Sequence, residues 1–235
     1  VRGCTGSRLI ADSSPLIKTI ILSDSRTYIT AHCCITGKTV YKNGTMLFKD
    51  EGSIAATDFF LSAYKYFHID YPKFYKMDNL CKLGFLAVEL LLKDRRIAAE
   101  YNSESIGVVF SNASSSLDAD LHYFESVKNI PSPAQFVYTL PNIVIGEVSI
   151  RHQCKGENAF FVSDRFDADF MQFYVQDIIV RKRVKTCISG WVECFREEYK
   201  AVVYLVESNP AEGALPFDTE HIHQIYDIAN GEING

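Results

Sequence analysis

The side chains able to do chemistry are dispersed along this chain rather than gathered into a motif. Seven cysteines (Cys4, Cys33, Cys34, Cys81, Cys154, Cys187 and Cys194) form no C-x-x-C pair and no regular series. An odd, unspaced set predicts neither a disulfide framework nor a structural zinc site. Most of them lie in apolar stretches, where cysteine behaves as a small hydrophobe, so a reducing, cytoplasmic setting is expected. His221-x-His223 offers two imidazoles but no third ligand in its neighbourhood, and is read as surface residues rather than a metal site. His32 and His152 fall on elements expected to pack, and are read as hydrogen-bonded structural histidines. Asp118 and Asp120 stand at a predicted helix start, as caps rather than as an acid–base pair. Arg181-Lys182-Arg183 with Lys185 is the dense basic run, read as a solvated helix end. No metal and no cofactor is expected.

The elements that position these residues follow from periodicity. Strands are predicted over residues 27–36, 105–111, 158–163, 185–193 and 201–207, each β-branched or apolar. Helices are predicted over 54–67, 78–93, 118–127, 142–152 and 167–183; in the second, Leu80, Leu83, Ala87 and Leu90 recur on one face. Alternating strands and helices imply an α/β fold: a mixed five-stranded, mainly parallel sheet with helices on both faces. The link 194–200 is too short for a crossover, so the last strand is expected to pair antiparallel. Residues 1–26 read as an N-terminal extension, 27–208 as one domain, and 209–235 as a polar, loosely packed tail. A hydrophobic content of 47% is enough to fill a core in a domain of this length. A net charge of −5 argues against a dedicated nucleic-acid binder. No apolar run is long enough to span a bilayer, so no membrane partner is expected.

Several segments, in order, resemble one family. Leu140-Pro141-Asn142 with Gly146, Val148-Ser149-Ile150-Arg151, Lys155-Gly156 and Asn158 is similar to the leucine-proline-asparagine segment of β-ketoacyl synthases. Ile106-Gly107-Val108-Val109, Lys76-Met77-Asp78 and Ile188-Ser189-Gly190-Trp191-Val192-Glu193 resemble neighbouring parts of that family. So does the stretch 28–44, where His32-Cys33-Cys34 replaces the usual small residues. The resemblance covers about residues 27–207 and implies the N-terminal half of a thiolase-like fold, half the family's length. The second half, which brings the family's two histidines and lysine, has no counterpart.

In active members a cysteine follows the third strand. There the positive end of a helix dipole lowers its pKa for attack on an acyl thioester. Counting from Asn158 along Asn158-Ala159-Phe160-Phe161-Val162-Ser163, Ser163 takes the threonine place, Asp164 the next, and Arg165 the place of the nucleophile. Arginine stays protonated and cannot attack. Cys187 and Cys194, in or just after the fourth strand, are read as core or edge thiols. The resemblance therefore implies a non-catalytic synthase-like protein, an accessory (chain-length-factor-like) partner in fatty-acid-like or polyketide/aryl-polyene-like synthesis. The alternatives are a divergent 3-oxoacyl-carrier-protein synthase and a stand-alone acyl-ligand binding module. The implied partners are a ketosynthase-like subunit, as a homo- or heterodimer paired through the strand 158–163, and an acyl carrier protein. A core role for Phe160 and Phe161 on opposite faces of a central strand stands beside the pairing role.

Overall fold

The computed structural model describes residues 26–128 and 130–228. The expected extension over 1–26, with Cys4, lies outside them but for its last residue, as do residues 229–235 of the expected tail.

The described residues form a single eight-stranded sheet. Its long strands are β1 (Tyr28–Thr36), β4 (Ile106–Asn112), β5 (Asn158–Val162), β6 (Thr186–Phe195) and β7 (Glu198–Glu207). To these are added β2 (Thr39–Lys42), β3 (Thr45–Lys49) and the short β8 (Leu215–Pro216). The order is β3-β2-β1-β7-β6-β4-β5, with β8 beside the start of β1. This corrects the five-stranded, mainly parallel expectation: only β4–β5 and β4–β6 are parallel, and the other pairs are antiparallel. Two tight turns account for the missed strands. Gly37 and Lys38 have φ of 54° and 62°, and Asn43 and Gly44 have 49° and 77°. Paired left-handed residues are the geometry that closes two-residue hairpins, and Asn-Gly is their favoured sequence. The antiparallel pairing of β7 with β6 is observed, but with longer strands than expected, because the hairpin turns on Arg196 and Glu197 alone.

Helices cover both faces. Under one face lie α1 (Ala56–Tyr66), α2 (Asn79–Leu91) and α4 (Ile143–His152); over the other lie α5 (Ala168–Val180) and α6 (Thr219–Ile228). A further helix, α3 (Leu117–Val127), sits on the surface. Asp78 caps α2 by accepting the Cys81 N–H at 3.1 Å. The following apolar run makes that helix buried almost all round. Gly84 lets α4 approach α2 closely: a Cβ there would collide with the Val144 side chain. The centre of the sheet is β7, whose Ala201–Glu207 stretch is wholly buried. Each valine or leucine fully buried there contributes about 1.5–3 kcal/mol. The expected loose packing beyond residue 209 does not hold for 215–228. Ile222 and Ile225 of α6 are buried against β7 and Trp191, and Phe217 packs on Tyr204.

β5 is an edge strand paired only with β4. Phe160 packs on one core and Phe161 on the other, so the phenylalanines do fill opposite faces, but of an edge and not of a central strand. The Val108 N–H donates to Glu157 O and the Ser163 N–H to Asn112 O. By alternation along the strand, Asn158, Phe160 and Val162 turn their N–H and C=O groups outward.

Candidate functional site

The carboxyl ends of β4, β5 and β6 meet the start of β7 and the end of α6 at an open groove of about 460 Å³. In sheets with parallel strands this end is where ligands commonly bind. Asn112 closes the loop after β4: its Nδ2 donates to Ser115 O at 2.8 Å, and its Oδ1 accepts the Ser115 N–H at 2.9 Å. That turn aims the Ala113 and Ser114 N–H groups at one point, where Glu193 Oε2 accepts both, at 2.6 and 3.1 Å. Convergent main-chain donors of this kind can hold an oxyanion. Here a side-chain carboxylate of the same chain fills them. The other Glu193 oxygen is buried without a hydrogen-bond partner.

After β5 the chain turns through Ser163, Asp164 and Arg165. The Ser163 hydroxyl donates to Arg165 O at 2.8 Å, which folds the turn and engages the hydroxyl. Asp164 and Arg165 are exposed and line the groove. Arg165 lies two residues before Asp167, the cap of α5, whose carboxylate accepts the Phe170 N–H at 2.8 Å. The cation therefore stands ahead of the helix, and a capping carboxylate offsets the dipole. Phe166 turns inward, stacks on Tyr226 (4.5 Å between centroids) and meets the Trp191 edge (5.8 Å). Across the groove the Lys200 Nζ donates to Tyr226 O at 3.0 Å and lies over that ring, and burial pulls its pKa down to about 8. Glu193, Lys200 and Tyr226 were not singled out in the sequence. Glu193 reads as the end of a strand, Lys200 as the end of a link and Tyr226 as part of a tail, and only their meeting in space marks them.

Among the described residues no histidine or cysteine lines the groove. All six described cysteines are buried. Burial raises every one of them, Cys34 and Cys154 to about 12 and Cys33, Cys81, Cys187 and Cys194 upward as well. His221 is bound to Asp218 (Nδ1 to Oδ1, 2.7 Å), and His223 points toward the Phe166 ring at 6.4 Å. Among the described residues no three His, Cys, Asp or Glu side chains are grouped to hold a metal. His152 Nε2 is buried 3.1 Å from Glu89, within ion-pair distance but without the geometry of a hydrogen bond. The His32 Nε2 also departs from the expected hydrogen bonding, being buried without a partner while burial lowers its pKa. Asp118 and Asp120 are not caps either. Asp118 accepts the Arg196 N–H and ties α3 to the β6–β7 turn, and Asp120 accepts the Ser116 hydroxyl. No helix of the described residues is long and apolar enough to cross a membrane.

Solved structures share this architecture. The ishigamide ketosynthase/chain length factor superposes with a TM-score of 0.57 at 17% identity, over 80% of this chain and 63% of its own. A β-ketoacyl synthase from Burkholderia phymatum gives 0.54 at 13% identity, over 82% and 62%. A ketosynthase in complex with its chain length factor, from Xenorhabdus doucetiae, gives 0.52 at 9% identity, over 89% and 93%. The fold is ketosynthase-like. The chain spans less than two thirds of the first two proteins and nearly all of the matched chain in the third. No protein-family model matches the sequence, and no curated protein matches it.

Proposed function

We propose that this chain is a non-catalytic ketosynthase-like subunit, an accessory of the chain-length-factor kind that works beside an active ketosynthase. The observation that carries the reading is the groove after β5. A catalytic member of this fold needs a reactive thiolate there and free main-chain donors for the oxyanion. Arg165 stands at the counted nucleophile position, and Glu193 occupies the two donors. A ketosynthase-like partner subunit would add a strand to the free edge of β5, and an acyl carrier protein would be the substrate carrier of such an assembly. Fatty-acid-like or polyketide/aryl-polyene-like synthesis is the setting this reading implies.

The decisive measurement is intact mass after incubation with acetyl-, malonyl- and hexanoyl-CoA and with an acyl-loaded carrier protein, alongside an active ketosynthase. The expected result is an acyl adduct on the control enzyme and none on this chain. A stoichiometric adduct on Ser163, Lys200 or any thiol would overturn the proposal and make the chain a divergent acyltransferase.

A further inference from the structure

A cavity of about 570 Å³ lies at the far end of the sheet from the groove. Arg95 in its wall reaches Glu207, which pairs across the sheet with Thr186, the first residue of β6. The C-terminal ends of α2 and α4 meet there, beside the short helical segment Ile97–Glu100. Four cations line the cavity, Lys93, Arg95, Arg96 and Arg151, against one carboxylate, Glu89. The chain as a whole has a net charge of −5, so this positive excess is local. Helix C-termini favour neighbouring cations. That accounts for Lys93 and Arg151 at the ends of α2 and α4, but Arg96 precedes a helix rather than ending one.

The four cations are of two kinds. Arg151 is held by Glu89, Nε to Oε1 at 2.6 Å and Nη2 to Oε2 at 3.1 Å, and lies over the Tyr71 ring. Arg95 is held by Glu100 and Glu207, neither of which lines the cavity. Both guanidinium groups are thus fixed in place and add positive potential with no further side-chain ordering. Lys93 and Arg96 are exposed and enter no ion pair among the described residues; the Lys93 ammonium lies over the Phe67 ring at 5.2 Å. Leu92, Ile97 and Ala98 give the wall an apolar side.

We propose that this cavity binds a phosphate monoester of a small organic molecule. Lys93 and Arg96 meet the phosphate, and the apolar side takes the carbon body. A phosphate monoester has a charge of about −1.5 to −2 at pH 7, which matches two unpaired cations, whereas a carboxylate brings a single charge. The volume falls in the range of roughly 300–1,000 Å³ usual for small-ligand sites. None of these residues belongs to the groove or to β5, so the site stands or falls apart from the accessory role.

The test is isothermal titration calorimetry on the full chain in phosphate-free buffer. The probes are adenosine 5′-monophosphate, inorganic phosphate, acetate and adenosine. The monophosphate is expected to bind one to one, at least fivefold tighter than inorganic phosphate, with acetate and adenosine giving no heat. Its affinity should fall as salt rises from about 20 to 200 mM, because exposed charges do the binding. Lys93→Gln with Arg96→Gln should weaken it at least tenfold while the circular dichroism stays unchanged, since both side chains face solvent. Should that variant misfold, Arg96→Gln alone decides by the same measure with a smaller loss. No heat from the monophosphate or from inorganic phosphate up to about 5 mM overturns the proposal, and so does an affinity that the double variant leaves unchanged. Adenosine binding as tightly as its monophosphate would overturn the role of the phosphate. Equal affinities for the monophosphate and inorganic phosphate would overturn the role of the organic body.

Discussion

Glu193 does for this groove what a substrate oxyanion does in a reacting enzyme: it satisfies the Ala113 and Ser114 N–H groups. Replacing one residue should therefore not restore chemistry. Arg165→Cys would place an exposed thiol at the counted position, but among the described residues no histidine lines the groove to deprotonate it. We expect that variant to gain one thiol reactive toward Ellman's reagent at pH 7.4 and still to form no acyl adduct with hexanoyl-CoA. The wild-type chain gives the baseline. None of its six described thiols should react within minutes under native conditions, since burial keeps each in the unreactive thiol form. Rapid labelling of any of them would show that the core around it opens. An acyl adduct on Arg165→Cys would mean that the groove retains more catalytic machinery than the proposal grants it.

At the scale of elements, tight turns and close approaches carry most of the specificity. Gly190 in β6 has φ of 152°, and a Cβ there would run into the Val202 carbonyl of the neighbouring strand. Backbone cannot yield as a side-chain tip can, so Gly190→Ala should lose about 3 kcal/mol or more in urea unfolding. Gly146→Ala in α4, where the added Cβ meets open space, should instead be neutral or gain up to about 1 kcal/mol. Similar losses at the two sites would remove the collision as the cause. The long elements were legible because their signals are long. The buried strand 105–111 and the helices near 78–93 and 142–152 come within a few residues of β4, α2 and α4. The hairpin strands β2 and β3 were missed, although Asn43-Gly44 announces their turn, because strands of four and five residues around it carry too little apolar periodicity. Helix α6 was missed because its packing rests on few residues, Ile222 and Ile225 foremost, in an otherwise polar stretch. Counting along the family's segments assigns Arg165 to the nucleophile's place, and the structure puts it in the turn after β5. The Glu193 contact could not be found by counting, because it joins residues 80 positions apart.

For the molecule as a whole, one buried carboxylate joins separate elements. Glu207, at the end of β7, is 4% exposed. It accepts from Arg95 (2.9 and 3.1 Å), from the Tyr101 hydroxyl (2.6 Å) and from the Thr30 hydroxyl of β1. Burial alone pushes its pKa up, but the Arg95 guanidinium and the two hydroxyls outweigh it, and the net direction is downward. Glu89, held by Arg151 and His152, shifts the same way. A carboxylate whose folded pKa is depressed stabilises the fold above its unfolded value, about 4.3 for glutamate. That contribution is lost as pH falls through the lower folded value. The contribution of these two glutamates should thus be level from pH 7 to about 5 and decline below about 4.3. Glu207→Gln isolates the term. Removing one member of a fully buried ion pair costs about 3–5 kcal/mol. Arg95 is partly solvated and keeps Glu100, so about 2 kcal/mol at pH 7 is expected here. The same substitution should cost clearly less at pH 3.5, below the unfolded glutamate value of about 4.3, where the unfolded chain holds the proton and folding must release it. Urea midpoints of both proteins at the two pH values check this. Equal losses at pH 7 and 3.5 would mean that Glu207 acts through packing and hydrogen bonds that do not depend on its charge.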